Sequence, residues 1–337
     1  MSSYEFNFGQ FKTAVGFYEL ENLIPDSGSL FIADENTSYL IPKKYLDRCV
    51  ILPPGEEFKS WESIDKILTK AVDLELARDA NFVGVGGGVI CDMTAFAASL
   101  FMRGCSVTLI PTTLLSMADA ALGGKTGVDF KGYKNLVGSF YPAKELRIAV
   151  DSLKTLSKRE FLSGLAEVIK SAMIGDVELL EYIENSRDDI LDLKKESLNY
   201  IINSCIKVKG RIVEEDLYEK SVRANLNLGH TFGHALESVT GFSTFSHGEG
   251  VVWGITKAMD TSLELGIVSK DYHSRILSLL KSYNYRLEAD VKATDIIDAM
   301  KLDKKKKGGV VKFILQTAPG ETLIREVPED VLYSVLK

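Results

Sequence analysis

Along the first half of the chain, short apolar runs alternate with stretches in which apolar residues recur every three or four positions. Residues 29–33 (SLFIA) read as a strand followed by Asp34, and 48–52 (RCVIL) as another, ended by Pro53, Pro54 and Gly55. Residues 60–76 place Trp61, Ile64, Ile67, Leu68, Ala71, Val72, Leu74 and Leu76 at helical spacing. Residues 81–85 read as a buried strand running into a glycine cluster, and 107–110 as one more strand, closed by Pro111. This β-α alternation predicts a mainly parallel sheet with helices on its faces.

From about Ser157 the pattern changes. The periods become helical, and strand signals nearly vanish until 310–315. Ser157 and Glu160 form an S-x-x-E capping box ahead of FLSGLAEVIKSAMI. A boundary near 155 is expected, giving a domain over 1–155 and a mostly helical one over 156–337. No internal repeat is visible.

With 337 residues, 45% of them hydrophobic and 26% charged, the chain can bury a real core. A formal charge of −7 argues against a general nucleic-acid binder. The four cysteines (Cys49, Cys91, Cys105, Cys205) lack CxxC spacing, which fits a reducing cytosol and offers no thiolate cluster. No secretion signal or membrane-spanning run is apparent, so a cytoplasmic protein is expected.

Two glycine-rich stretches carry candidate chemistry. Residues 84–92 read GVGGGVICD, between a strand and an apparent helix. Glycines there let backbone N–H groups approach a pyrophosphate, and a helix N-terminus favours the anion. The GxGxxG fingerprint is not met, because Val89 stands at its third glycine; a tight turn without ligand is the plain alternative. The second stretch, ALGGKTGVDFKGYKN, contains G-K-T but is no Walker A loop, since Asp119 occupies its first glycine position. It reads as a loop presenting Asp119, Lys125, Lys134 and Asn135, suited to phosphate or carboxylate.

Three of the four histidines, His230, His234 and His247, lie close together in sequence. Arg223, Asn227, His230, His234 and Glu237 fall along one face if the stretch is helical. Small and apolar neighbours make that face buried or cleft-lining. His230 and His234 are an i,i+4 pair and, by spacing alone, co-ligands of a metal; HExxH is absent because Thr231 stands where the Glu belongs. His247 can supply another ligand. The best carboxylate is Glu167 in GLAEVIK, with Lys170 three residues on; a surface ion pair is the plain alternative for those two.

Taken together, GGGVICD, MRG, PTTLL, GGKTGVDFKGYKN, GLAEVIK, LNLGHTFGHALE and HGEGVVWG resemble, in order and approximate spacing, the 3-dehydroquinate synthases. The resemblance spans about Asp34 to Lys305. It implies a Rossmann-like NAD domain, a C-terminal mostly α-helical metal and substrate domain, and an active site in the cleft. It places the cofactor on Asp34, Glu56, Lys59, Gly87, Gly88, Val89, Asp92, Thr112, Thr113, Asp119, Lys125, Lys134, Thr155, Leu156 and Glu160. It makes Glu167, His230 and His247 the ligands of one divalent metal, zinc or cobalt. His234 is then no ligand but a substrate-facing acid/base or phosphate contact. Substrate falls to Arg103, Lys125, Asn135, Lys170, Lys209, Arg223, Asn227, His234 and one of Lys304 or Lys305. Lys125, Lys170, Asp119 and Asn227 join His234 as catalytic residues. The arginine of MRG, Arg103, is expected to reach the neighbouring subunit's site in a homodimer.

The reaction implied takes 3-deoxy-D-arabino-heptulosonate 7-phosphate to 3-dehydroquinate and phosphate, the second step of the shikimate pathway to chorismate and aromatic amino acids. Transient oxidation of a hydroxyl by NAD acidifies the neighbouring C–H, phosphate leaves by β-elimination, the hydride returns, and ring opening with an aldol step closes the carbocycle. The metal acts as a Lewis acid. A substrate with a carboxylate and a phosphate needs a local basic pocket in this acidic chain, with Arg223 suited to the carboxylate and lysines to phosphate. Cys91, Asp129 and Ser221 depart from the family's usual residues. Other sugar-phosphate cyclases (2-deoxy-scyllo-inosose or 2-epi-valiolone synthases) and polyol or glycerol-phosphate dehydrogenases share the fold. Arg223, Asn135 and His234 favour the dehydroquinate reading over the former. The absence of a lysine shortly after Asp92 disfavours the latter.

Overall fold

A computed structural model describes residues 3–241, 244–307 and 311–337; the side chains of 303–307 lie outside that description. The chain divides into two compact units: 1–157 with 209–218, and 158–208 with 219–337. A single cut near 155 therefore misses one feature, the return of 209–218 to the first unit. Nothing in the local pattern marks that segment, because it continues a helix.

The first unit opens on a hairpin, β1 (Ser3–Phe8) and β2 (Phe11–Phe17), in which Phe6, Phe8, Thr13 and Val15 alternate inward. Then follow β3 (Leu30–Asp34), β4 (Cys49–Leu52), helix α1 (Trp61–Asp73), β5 (Asn81–Gly86), helix α2 (Gly88–Leu100), β6 (Ser106–Pro111), a hairpin of β7 (Lys125–Phe130) and β8 (Tyr133–Phe140), and β9 (Glu145–Ile148). Among the described residues, seven strands form one sheet in the order β1-β2-β9-β6-β5-β3-β4, parallel except for β1 against β2. Leu30, Phe31, Ile32 and Ala33, and Phe82, Val83 and Val85, are fully buried, as continuous apolar runs in a sheet covered on both faces must be.

The strand order reverses between β3 and β5, since β4 lies on one side of β3 and β5 on the other. Such a switch point opens a crevice at the carboxyl ends of its strands. Asp34 ends β3 and Gly86 ends β5, so both are delivered to that crevice.

The second unit is built from α3 (Lys158–Gly175), α4 (Val177–Asn185), α5 (Arg187–Leu191), α6 (Lys195–Glu215), α7 (His230–Val239), α8 (His247–Glu264), α9 (Lys270–Ser282) and α10 (Ala293–Lys307). A hairpin, β10 (Phe313–Ala318) and β11 (Glu321–Arg325), and α11 (Glu329–Val335) complete it. The last residues of α6 belong to the first unit. Helix α3 is buried from Ser163 to Ile174, an all-round burial that marks a central helix. Gln316 of β10 accepts from the Tyr272 hydroxyl at 2.6 Å and donates to the Met173 carbonyl at 2.6 Å, which ties β10 to α9 and α3.

Candidate active site

Helices α7 and α8 carry the histidines, and glycines let them approach closely. A Cβ on Gly254 would lie 1.9 Å from the Gly229 carbonyl oxygen, and one on Gly233 would lie 2.7 Å from that of Gly250. Both obstacles are backbone, so only glycine fits. Gly229 itself takes φ +80°, a left-handed conformation that ends the short 3-10 turn of 222–227 and lets α7 begin at His230. The polar stripe from Arg223 to Glu237 is therefore not one helix. Arg223 and Asn227 lie on the turn, and His230, His234 and Glu237 on α7. Helix α8 starts in a capping box: Ser246 accepts from the Glu249 N–H, and Glu249 Oε2 accepts from the Ser246 N–H at 2.6 Å. The Gly248 N–H donates to Ser163 Oγ at 3.0 Å, fixing the first turn of α8 on α3 beside Glu167.

Glu167 and Lys170 form an ion pair through Glu167 Oε2, and both are almost wholly buried. This excludes the surface pair that the spacing alone allows. Glu167 Oε1 lies 3.2 Å from His247 Nε2 and 3.6 Å from His230 Nε2. A tetrahedral metal with N and O ligands at about 2.0–2.2 Å separates its ligands by roughly 3.4 Å, and the two distances bracket that edge. Burial works to raise the Glu167 carboxyl, but Lys170, the His247 hydrogen bond and both imidazoles hold it well below the usual carboxylate range. His230 is pushed down to about 3, by burial first and then by Lys170. Burial would lower His247 as well, yet its hydrogen bonds to Glu167 and Glu237 raise it to about 10.

Two overlapping sets of donors thus arise. Glu167, His230 and His247 bring ligand atoms within 4.8 Å of one another, and so do His234, Glu237 and His247. The spacing-based pair of His230 with His234 falls into neither set together; their rings stand 5.3 Å apart at 82°. His234 is exposed, whereas Arg223 is buried. Asn227 Nδ2 donates to Glu219 Oε1 at 2.5 Å. Glu219 was not among the expected residues, and no periodicity or motif marks it.

In the first unit, Gly87 caps α2, and Gly88 and Val89 open it. No positive φ occurs among Gly86, Gly87 and Gly88, so the loop does not require glycine for its backbone angles. It requires room. A Cβ on Gly84 would sit 2.6 Å from Thr94 Oγ1, one on Gly86 2.7 Å from the Ile90 side chain, and one on Gly87 3.1 Å from Thr113 Cγ2. The glycines thus keep the mouth of α2 open beside Thr113. Asp34 Oδ1 accepts from the Asn36 N–H at 2.9 Å and the Thr37 hydroxyl at 3.0 Å. Glu56 lies on the turn 56–58, Thr112 is buried after β6, Thr155 and Leu156 close the turn after β9, and Glu160 is in the first turn of α3 in the other unit.

Lys59 is buried and donates to Asp92 Oδ2 at 2.5 Å and Asn135 Oδ1 at 2.6 Å. Burial works to lower its ammonium, but the Asp92 and Glu56 carboxylates raise it. Asp129 accepts from the Asn135 N–H at 2.7 Å, a bond that an asparagine carbonyl would also receive, so this departure from the family is mild. Asn135, expected to hold substrate, is therefore joined to the expected cofactor residues. Lys209 donates to Asp119 Oδ1 at 2.6 Å and to its carbonyl at 2.7 Å. Lys125, Lys134 and Asn135 lie on the β7–β8 hairpin, not on an open loop. Arg103 is exposed, with φ +65°, and follows Met102 at φ +51°. Cys91 is buried, and its Sγ meets the Gly86 carbonyl at 3.7 Å, filling space a glycine would leave. Lys304 and Lys305 lie outside the described side chains.

The fold has solved counterparts. A 2-epi-5-epi-valiolone synthase from Streptomyces hygroscopicus subsp. jinggangensis 5008, with NAD+ and Zn2+ bound, matches with a TM-score of 0.88 at 22% identity, over 97% of this chain and 96% of that one. A 2-deoxy-scyllo-inosose synthase complexed with carbaglucose-6-phosphate, NAD+ and Co2+ gives 0.86 at 23%, over 99% of both chains. The chain thus shares the fold of these two synthases. The family models for the 3-dehydroquinate synthase N-terminal and C-terminal regions match residues 49–163 and 164–306. The 3-dehydroquinate synthase of Thermoanaerobacter sp. (strain X514) is 41% identical over 85% of this chain and 81% of its own. The chain belongs to the 3-dehydroquinate synthase family.

Proposed function

We infer that this chain is a phosphate-eliminating lyase, converting 3-deoxy-D-arabino-heptulosonate 7-phosphate to 3-dehydroquinate and phosphate in the shikimate pathway. Family membership supports the reaction, and the arrangement of Glu167, His230 and His247 is the observation that carries it. One carboxylate oxygen faces two imidazole nitrogens at near-tetrahedral edges, with the carboxylate held ionised. That donor set fits a divalent zinc or cobalt ion. The cradle at the mouth of α2, where a Cβ on Gly87 would crowd Thr113, fits the pyrophosphate of NAD. When bound, NAD supplies a transient hydride acceptor and the metal a Lewis acid, so no net oxidation results.

The chain's own residues do the remainder. Arg223, buried and always charged, binds the substrate carboxylate in a fork geometry. Lys125, Lys170, Lys209 and one of Lys304 or Lys305 supply the cationic surroundings of the phosphate. Asn227, held by Glu219, orients substrate hydroxyls. His234, exposed beside the donor cluster, moves a proton at its ring nitrogen or contacts the leaving phosphate. Asp34, Glu56, Lys59, Asp92, Thr112, Asp119 and Lys134, with Thr155, Leu156 and Glu160, form the cofactor's surroundings.

The enzyme works in the cytoplasm as a homodimer in which Arg103 serves the neighbouring site. The exposure of Arg103 beside the exposed apolar side chains of Leu100 and Met102 supports this. No helix among the described residues is long and apolar enough to cross a membrane.

The test is phosphate release with catalytic NAD+ from the heptulosonate phosphate, compared with sedoheptulose 7-phosphate and glucose 6-phosphate. Turnover of the first alone is expected; preference for either of the others would make this a different cyclase. Chelation should abolish activity and zinc or cobalt restore it, so full turnover after exhaustive metal removal would sink the metal assignment.

A further inference from the structure

The two histidines in the metal reading differ in what holds their second nitrogen. His230 Nδ1 lies 3.2 Å from the Leu228 carbonyl, within its own stretch of chain. His247 Nδ1 lies 3.2 Å from Glu237 Oε1, on the other helix. With a carboxylate oxygen as its partner, Nδ1 is the donor of this contact, which leaves Nε2 as the ligand nitrogen of the neutral ring. We propose that Glu237 is a positioning residue of the metal centre: it holds the His247 ring through Nδ1–H and turns Nε2 toward the metal position beside Glu167. The proposal rests on the reading of Glu167, His230 and His247 as metal ligands.

The surroundings of Glu237 are built for this contact. The residue is 6% exposed although it is charged. It follows His230 by two helical turns on the same face of α7, so one helix offers a ligand and orients another. On α8, Gly250 leaves it room: a Cβ there would lie 3.3 Å from both Glu237 Cγ and Oε1. The glycine three residues after His247 thus clears space for the carboxylate that steers His247. Carboxylate partners of this kind fix the tautomer and orientation of metal-bound histidines.

The rival role for Glu237 is direct ligation with His234 and His247, whose donors also converge. His247 would then bind through Nδ1. Metal titration separates the two. The full-length chain, stripped of metal, is titrated with Co2+ against a competing chelator while the visible cobalt bands are followed. Wild type, Glu237→Gln and Glu237→Ala should each bind one equivalent. Affinity should fall ~10–100-fold in Glu237→Ala, the loss typical of a ligand's hydrogen-bond partner. Glu237→Gln should lie between, because its amide oxygen still accepts from Nδ1–H. Unchanged affinity in Glu237→Ala overturns the proposal. So does loss of the stoichiometric site as complete as in Glu167→Ala, which would make Glu237 a ligand. A lower melting temperature of metal-free Glu237→Gln with wild-type cobalt affinity would reduce its role to packing. A wild-type chain that binds no equivalent of cobalt overturns the metal reading itself.

Discussion

Lys170 stands three residues from Glu167, a spacing that on an exposed helix stabilises by only a few tenths of a kcal/mol. Both are buried here, and the pair has a different meaning. Removing one partner of a buried pair leaves the other charge with less compensation, at a cost of up to about 3–5 kcal/mol. Lys170→Met should therefore destabilise the metal-free chain by that order, and added zinc should recover part of the loss. Urea unfolding with and without metal checks both; an unchanged midpoint in the metal-free protein contradicts the burial argument. Two histidines make a second test. His230→Ala should lose metal, while His234→Ala should keep metal and lose rate. Metal content and turnover measured on the same preparations decide it, and equal metal loss in both would reinstate the pair that i,i+4 spacing offers. Sequence motifs name Glu167, His230, His234 and His247, because each sits in a specific run of neighbours. They do not reveal that Asn135 joins Lys59, or that Glu219 holds Asn227, since those bonds depend on how the β7–β8 hairpin and the chain ahead of α7 fold back.

At the scale of elements, the apolar pattern located β3, β4, β5 and β6 to within a residue or two, because four-residue apolar runs bounded by proline or glycine leave little choice, and it passed over β9 (Glu145–Ile148), whose short run is broken by Arg147. It missed the β1–β2 hairpin, which is half exposed, and it read β7–β8 as a loop because Gly127, Gly132 and Gly138 interrupt the alternation. The one-face reading of Arg223 to Glu237 required a helix across Gly229, where a left-handed residue breaks the run. The pairing of α7 with α8 depends on glycines whose role only packing shows. Gly254→Ala places a methyl against the Gly229 carbonyl, and overpacking of that kind costs ~1–3 kcal/mol. Lower stability together with weaker metal binding is expected, since the same helices carry His230 and His247; calorimetry and a cobalt titration measure the two effects. The capping box of α8 adds a pH-dependent element. Burial would raise the Glu249 carboxyl, but hydrogen bonds with Ser246 and Arg159 lower it. A folded value below the unfolded one gives stability that is complete above the unfolded value and is lost as pH falls through the folded one. Glu249→Gln keeps an acceptor for the Ser246 N–H and loses the charge. Its deficit, about 0.3–1 kcal/mol at neutral pH for a charge at a helix N-terminus, should vanish in acid. Melts of both proteins from neutral pH to below pH 4 test this, and a deficit independent of pH would refute it.

At the scale of the whole molecule, the change from strand-rich to helix-rich sequence pointed to two units, while the return of 209–218 to the first unit stayed hidden in the end of α6 and the residues after it. Each unit holds one half of the proposed chemistry: the switch-point crevice of β3 and β5 the nucleotide, and the α3, α7 and α8 cluster the metal. Arg103 stands apart, exposed on a left-handed turn. If it serves a neighbouring subunit, inactive chains should complement. In a dimer of Arg103→Ala with His234→Ala, one site combines the intact His234 of the first chain with the intact Arg103 of the second. The other site lacks both. Random mixing makes half the dimers mixed, each with one working site, so activity should return to roughly a quarter of wild type in a two-fold dimer. Were Arg103 to act within its own subunit, each site of the mixed dimer would lack one residue and mixing would restore nothing. The comparison needs only refolding or coexpression of the two chains and a phosphate-release assay.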